Sequence, residues 1–172
     1  MSIDYYTGQS GGGAVKRFYK SLGNDWNLTD KTRDGATINS VPRNLEGDLI
    51  TLTISGNDAL LLGDYANKYR IDKIIEEHRD LLQDIRNKNP NSCFIIGNVY
   101  HPNIHLSKLY LSLLNDLNEG IEKNVKSVNG RLANIYRGFK GKENKLLILE
   151  IEPNYNGAGV ICGLFQEQYL DK

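Results

Sequence analysis

The run "DLITLTISGND" (48–58) is apolar and β-branched and then stops on Gly56, Asn57 and Asp58. Two readings of that stop are open. Gly, Asn and Asp are turn formers, so any strand can end on them. An amide at the carboxyl end of a parallel strand also stands where open α/β sheets hold their ligands, and Asn57 has N–H groups to offer there. His101, in "NVYHPN" (98–103), follows a second apolar run and is the one histidine placed to act as a base or a substrate contact. His105 reads as a loop or helix-cap residue, and the pair at four-residue spacing lacks the Glu of a zinc-binding helix, so no metal is expected. His78, flanked by Glu76, Glu77, Arg79 and Asp80, is expected on a solvated helix face.

Two further stretches invite a ligand. "TGQSGGG" (7–13) is glycine-rich, but it follows no strand and lacks the Gly-Lys-Ser/Thr ending that contacts phosphate and magnesium, so no nucleotide loop is expected. "RGFKGKENK" (137–145) gathers four cations around one Phe. Its alternatives are an anion contact or a solvated charge run. Tyr5, Tyr6, Tyr100 and Tyr155 are candidates to line a pocket, while Tyr65 and Tyr69 read as ordinary packing.

Composition bounds what these residues serve. With 172 residues, the chain fits one domain, 1–172, by the usual ~100–200 residues per domain. Lys and Arg (21) balance Asp and Glu (21), which gives no field to attract nucleic acid or an anionic membrane. Cys93 and Cys162 stand apart in apolar runs and read as reduced packing residues of a reducing, cytoplasmic compartment. No apolar run approaches the roughly 18 residues of a membrane span, and no secretory leader is read at the start.

The elements that must position the candidates alternate. Helical spacing is read over 12–22, 68–88, 106–126 and 156–169. Pro90 closes the second of these. Strands are read at 48–55 and 92–100, with weaker ones at Trp26–Arg33 and Arg131–Tyr136 and a strand-like run in "KLLILEIEPN". The segment "DGATINSVPRNL" reads as a turn with a short helix, and "GFKGKENK" as a loop. Strands alternating with helices predict an α/β fold with a parallel sheet covered on both faces.

Three ordered segments carry a resemblance. "RDGATINSV" (33–41), "TISGNDALL" (53–61) and "IEPNYNGAGVI" (151–161) resemble blocks two, three and five of the SGNH hydrolases, the GDSL-type esterases and lipases. "NVYHPN" and the helix bearing "LLNDLNEGI" extend the likeness to nearly the whole chain, and the resemblance implies a flavodoxin-like, three-layer α/β/α fold with a parallel sheet. The resemblance implies that Gly35 and Asn57 are the block-two and block-three donors of an oxyanion hole, with Asp58 orienting the turn and Asn154 supporting the final block. Such donors meet the negative charge of a tetrahedral intermediate, and losing one typically costs about 10²–10³ in rate.

The sequence departs from that family in two places. The family's Gly-Asp-Ser block, with its nucleophile and first strand, belongs directly before Met1-Ser2-Ile3-Asp4, so the chain is expected to be an N-terminally truncated member. Ser2 is not expected to replace the nucleophile. In the final block Glu152 stands at the family's His position and Leu149 at its Asp position. Glu152 is then a candidate base if burial raises its pKa, or it orients its loop or caps the following helix.

The expectation is a serine-type hydrolase of carboxylic or acetyl esters in its full-length form, acting on a small ester or acylated sugar. Glu152 is the first candidate base and His101 the second. No cofactor, nucleic acid or membrane partner is expected. The alternative is a catalytically inactive SGNH-like binding protein.

Overall fold

Leu49–Thr53 and Cys93–Gly97 lie side by side in parallel, Leu49 opposite Cys93 and Thr53 opposite Gly97. They are β1 and β2 of a sheet ordered β1-β2-β3, in which β3 is Arg131–Ala133. The short strands β4 (Leu147–Ile148) and β5 (Glu152–Pro153) form a separate antiparallel hairpin. The helices are α1 (Asp4–Thr7), α2 (Ala14–Leu22), α3 (Gly56–Leu60), α4 (Lys68–Lys88), α5 (Lys108–Ser127), α6 (Ile135–Phe139), α7 (Glu143–Leu146) and α8 (Tyr155–Leu170). The structure, a computed structural model, describes residues 4–170.

The residues gather into two compact units. The sheet unit takes Gly35–Val99 and His105–Leu132; the helical unit takes the described residues up to Asp34, Tyr100–Ile104 and those from Ala133 on.

In the sheet unit, β2 is central. Phe94, Ile95, Ile96 and Gly97 are all buried, which is why its sequence shows no polar alternation. On β1, at the sheet edge, Ile50 alone is buried. The α4 stripe of Ile71, Ile74, Leu81, Leu82 and Ile85 and the α5 stripe of Leu113, Leu117, Ile121 and Val125 belong to the same apolar core. Asn67 starts α4 by accepting the Arg70 N–H at 3.1 Å. Where α4 and α5 approach, Gly120 makes room for Ile75: a Cβ at position 120 would lie 2.5 Å from the Ile75 side chain.

His78 contradicts its expected exposure. It is wholly buried, with Nδ1 3.2 Å from Asn124 Nδ2 on α5. Its place follows from period rather than neighbours, since it lies four residues after Ile74 and seven after Ile71, on the apolar stripe. Burial pushes its pKa down to about 4, so it is neutral in the fold.

Arg86, at the end of α4, is held without any salt bridge among the described residues. Its Nε donates to Val128 O at 2.8 Å and its Nη1 to Asn89 O at 3.0 Å and Ser92 O at 2.9 Å, while the guanidinium lies 3.8 Å from the Phe94 ring centre.

In the helical unit α2 packs on α8 through aromatic edges, Phe18 against Phe165 and Tyr169, and Trp26 also meets Tyr169. The weak strand expected at Trp26–Arg33 is absent. Those residues are mostly polar and exposed, and no backbone among the described residues forms a ladder with them. The "KLLILEIEPN" run keeps only two-residue strands, because Leu149 (φ 49°) and Glu150 (φ 66°) turn the chain back. The expected loop "GFKGKENK" is partly helical, in α6 and α7. Tyr65 and Tyr69, expected to pack, are 74% and 70% exposed and lie over the cations of Arg70 and Lys73. Among the described residues no helix is long and apolar enough to cross a membrane.

Candidate functional site

The turn after β1 is built on an unusual serine. Ser55 has φ 83° and ψ −14°, the left-handed region that costs a non-glycine residue roughly 1–2 kcal/mol, and it is completely buried. Its hydroxyl and that of Thr53 have no hydrogen-bond partner among the described residues. This backbone reversal swings the next residues into α3 and brings them beside the segment 35–38.

Two of them grip that segment. Asn57 Nδ2 donates to Ala36 O at 2.9 Å, and the Asp58 carboxylate accepts the Ile38 N–H with both oxygens at 3.2 Å. A capping box formed by Thr37 and Ser40 closes the short helical turn that follows. Asp58 is half-buried, and burial raises its pKa despite the Ile38 N–H. Gly35 has φ +66° with empty space where a Cβ would point, and its N–H has no partner among the described residues. An amide carries two N–H groups, so Asn57 keeps one after serving Ala36. Gly35 and Asn57 are thus neighbours through Ala36, each with a donor to spare.

In the helical unit, Glu152 heads β5. Its carboxyl is raised from the ordinary range by burial and then by the negative charge of Asp34. Asp34 accepts the Tyr6 hydroxyl at 2.7 Å, a bond that pushes the Tyr6 pKa up to about 12. The hairpin bearing Glu152 is pinned from the 100–103 segment: Tyr100 Oη donates to Ile151 O at 2.6 Å and Asn103 N–H to Glu150 O at 2.7 Å. Asp34 was missed in the sequence because nothing in "RDGATINSV" separates a charge partner from an ordinary turn residue.

Asn154, not Glu152, caps α8. Its Oδ1 accepts the Asn156 and Gly157 N–H groups at 2.9 and 3.1 Å, and its Nδ2 donates to Lys145 O at 3.0 Å. The helix-capping role open to Glu152 is therefore taken by its neighbour. The tyrosines expected to line one pocket go separate ways. Tyr5 and Tyr6 meet edge to face, Tyr100 is stacked 4.7 Å from Phe139, and Tyr155 lies under Arg17. His101 is half-buried with Nδ1 against the carbonyl of Pro102, and His105 is exposed. Ser2 lies outside the described residues. No group of three or more His, Cys, Asp or Glu side chains is arranged to hold a metal among the described residues.

No family model matches the sequence, and no curated protein is similar to it in sequence. Solved structures are similar to it in fold. A member of the lipolytic G-D-S-L family from Veillonella parvula DSM 2008 superposes with a TM-score of 0.75 at 17% identity, over 95% of this chain and 91% of that one. An acetyl xylan esterase gives 0.73 at 14% identity, over 94% and 92%. A lipase from a goat rumen metagenome gives 0.69 at 17% identity, over 91% and 87%. At these identities the likeness is one of fold.

Proposed function

We propose, for a chain that carries the SGNH hydrolase fold, that the protein is an ester hydrolase acting on a carboxylic ester, with an acetyl group on a sugar as the leading substrate class. The observation that carries the reading is the grip of Asn57 and Asp58 on segment 35–38, which leaves a backbone N–H at Gly35 and an amide N–H at Asn57 to spare. Fixed donors of this kind favour the oxyanion of acyl transfer over the ground-state carbonyl.

In this reading a serine hydroxyl adds to the ester carbonyl and gives its proton to a base. The tetrahedral oxyanion collapses, the alcohol leaves with that proton, and water then releases the acid from the acyl-enzyme by the same steps. The serine is the one the resemblance assigns to the family's Gly-Asp-Ser block. Glu152 takes the role of base by its position in the final block and by its raised pKa, with His101 second.

The departures at Glu152 and Leu149 favour a second reading, a binding protein of the same fold without catalysis. Leu149 is 68% exposed on a reversed turn and offers no acid to orient a base. Fluorophosphonate labelling of the protein from its native source separates the two, because only an activated serine reacts. Labelling with turnover of an aryl acetate supports the hydrolase; neither, in folded protein, leaves the binding reading.

A further inference from the structure

The helical unit contains a cleft of ≈ 430 Å³ that none of the proposed catalytic roles uses. It is formed by the loop 9–12, α2 and α8, and among its lining residues there is no Asp or Glu. Two cations face it from successive turns of α2, Arg17 and Lys20. Neither forms a salt bridge with a carboxylate among the described residues. The nearby Asp4 is already committed, to the Gly11 and Gly13 N–H groups at 2.8 and 2.9 Å and to Lys16 at 2.7 Å.

Both cations are seated on glycines. The Arg17 guanidinium lies on α8, where a Cβ at Gly159 would stand 3.1 Å from both Nη atoms. It donates to Tyr155 O at 2.9 Å and rests 4.5 Å from the centre of the Tyr155 ring. A Cβ at Gly11 would stand 2.6 Å from Lys20 Nζ, and φ +72° reserves that position for glycine as well. An anchored guanidinium with N–H groups left over, beside an ammonium, is a fork-and-point arrangement suited to an oxyanion. Gln9 and Gln166 line the same cleft with amides that both donate and accept, as neighbouring hydroxyls require. Cys162, whose thiol burial pushes upward, adds no negative charge.

We propose that this cleft binds a small hydroxylated anion, its carboxylate or phosphate held by Arg17 and Lys20 and its hydroxyls by Gln9 and Gln166. The shared chemistry is an oxyanion on a polyol, whether a sugar acid or a sugar phosphate. The site does not depend on the ester-hydrolase reading.

The test is an amide NMR titration of the ¹⁵N-labelled full chain with three probes: inorganic phosphate, glucuronate and neutral glucose. Saturable shifts at Gly11, Gly12 and Gly159 are expected with an anion and not with glucose, and they weaken as salt rises. Saturation by glucuronate alone identifies a carboxylate site, and by phosphate alone a phosphate site. A charge-assisted hydrogen bond is worth about 1.5–3 kcal/mol, so Lys20→Gln weakens binding about tenfold or more. Arg17→Gln also releases Tyr155, so the exposed Lys20 gives the cleaner variant. The proposal is overturned if neither anion gives saturable shifts at these glycines, if glucose binds as well as the anions, or if Lys20→Gln binds like the unmodified chain.

Discussion

Asn57 Nδ2 lies 2.9 Å from the carbonyl oxygen of Ala36, and this bond, with the Ile38 N–H held by Asp58, fixes the loop that carries Gly35 to the turn after β1. The residue type matters because an amide has a second N–H left for a ligand, whereas a hydroxyl in the same place has only one proton to give.

Replacing Asn57 with Ala in protein that turns over an ester is expected to lower kcat about 10²–10³-fold. Loss of the bond to Ala36 costs stability only about 0.5–1.5 kcal/mol. Steady-state kinetics on an aryl acetate, paired with a urea melt, reads both. Unchanged kcat in a folded variant removes Asn57 from the oxyanion hole.

Ser55→Gly is expected to stabilise the protein by about 1 kcal/mol or more. Glycine takes φ 83° without strain, and the change deletes a buried hydroxyl that has no partner among the described residues. A lower melting temperature in the variant contradicts the strained-turn account.

His78 makes stability depend on pH. Its folded pKa of about 4 lies below the ordinary 6.5, so its contribution is present above pH 6.5 and is lost as pH falls towards 4. At 1.36 kcal/mol per unit the loss is about 3 kcal/mol. Asp58, raised by burial, runs the other way: its contribution is present below the ordinary 3.8 and is lost as pH rises through its folded value. Urea melts between pH 4 and 7 should show a flatter profile in His78→Gln, and Asp58→Asn should remove the opposing slope.

If Glu152 is the base, activity falls as pH drops through a value above the ordinary 4.5, because only the carboxylate accepts a proton. Asp34→Asn removes one cause of that elevation and should move the acid limb of kcat/KM to lower pH. Glu152→Gln should abolish the limb along with about 10²–10⁴ of the rate. A limb unmoved by Asp34→Asn assigns it to another group.

Gly120→Ala adds a methyl 2.5 Å from Ile75 and should destabilise the protein by about 1–3 kcal/mol, despite the better helix propensity of Ala. Pairing it with Ile75→Ala should restore part of the loss. Additive effects in thermal melts exclude the proposed contact.

Where local chemistry and tertiary packing agree, the sequence was readable. The α4 stripe ends at an Asn cap and a Pro stop, and the helix occupies 68–88 as its spacing predicts. The run "CFIIG" has no polar alternation and forms the central strand. The failures share a physical cause. His78 was judged by its charged neighbours, when the side chains above and below it on the helix decide burial. Trp26–Arg33 has a few strand-like residues, but the run is mostly polar and exposed and buries no face that would hold it extended. Ser55 takes a backbone conformation its residue type disfavours, and Asp34 acts on Glu152 across more than a hundred positions of sequence. Neither leaves a local mark.

Arg86 joins the end of α4 to Val128, Asn89 and Ser92 through carbonyl oxygens and an aromatic face, with no carboxylate partner among the described residues. Mobile ions screen charge–charge attraction over about 10 Å at 0.1 M, but they have little hold on short contacts between a cation and fixed dipoles. Exposed pairs such as Lys73–Glu76 and Lys126–Glu122 fade in brine, while this junction keeps its strength. Ionic strength thus loosens the outer faces of the two long helices before it loosens the corner where α4 hands the chain on to β2.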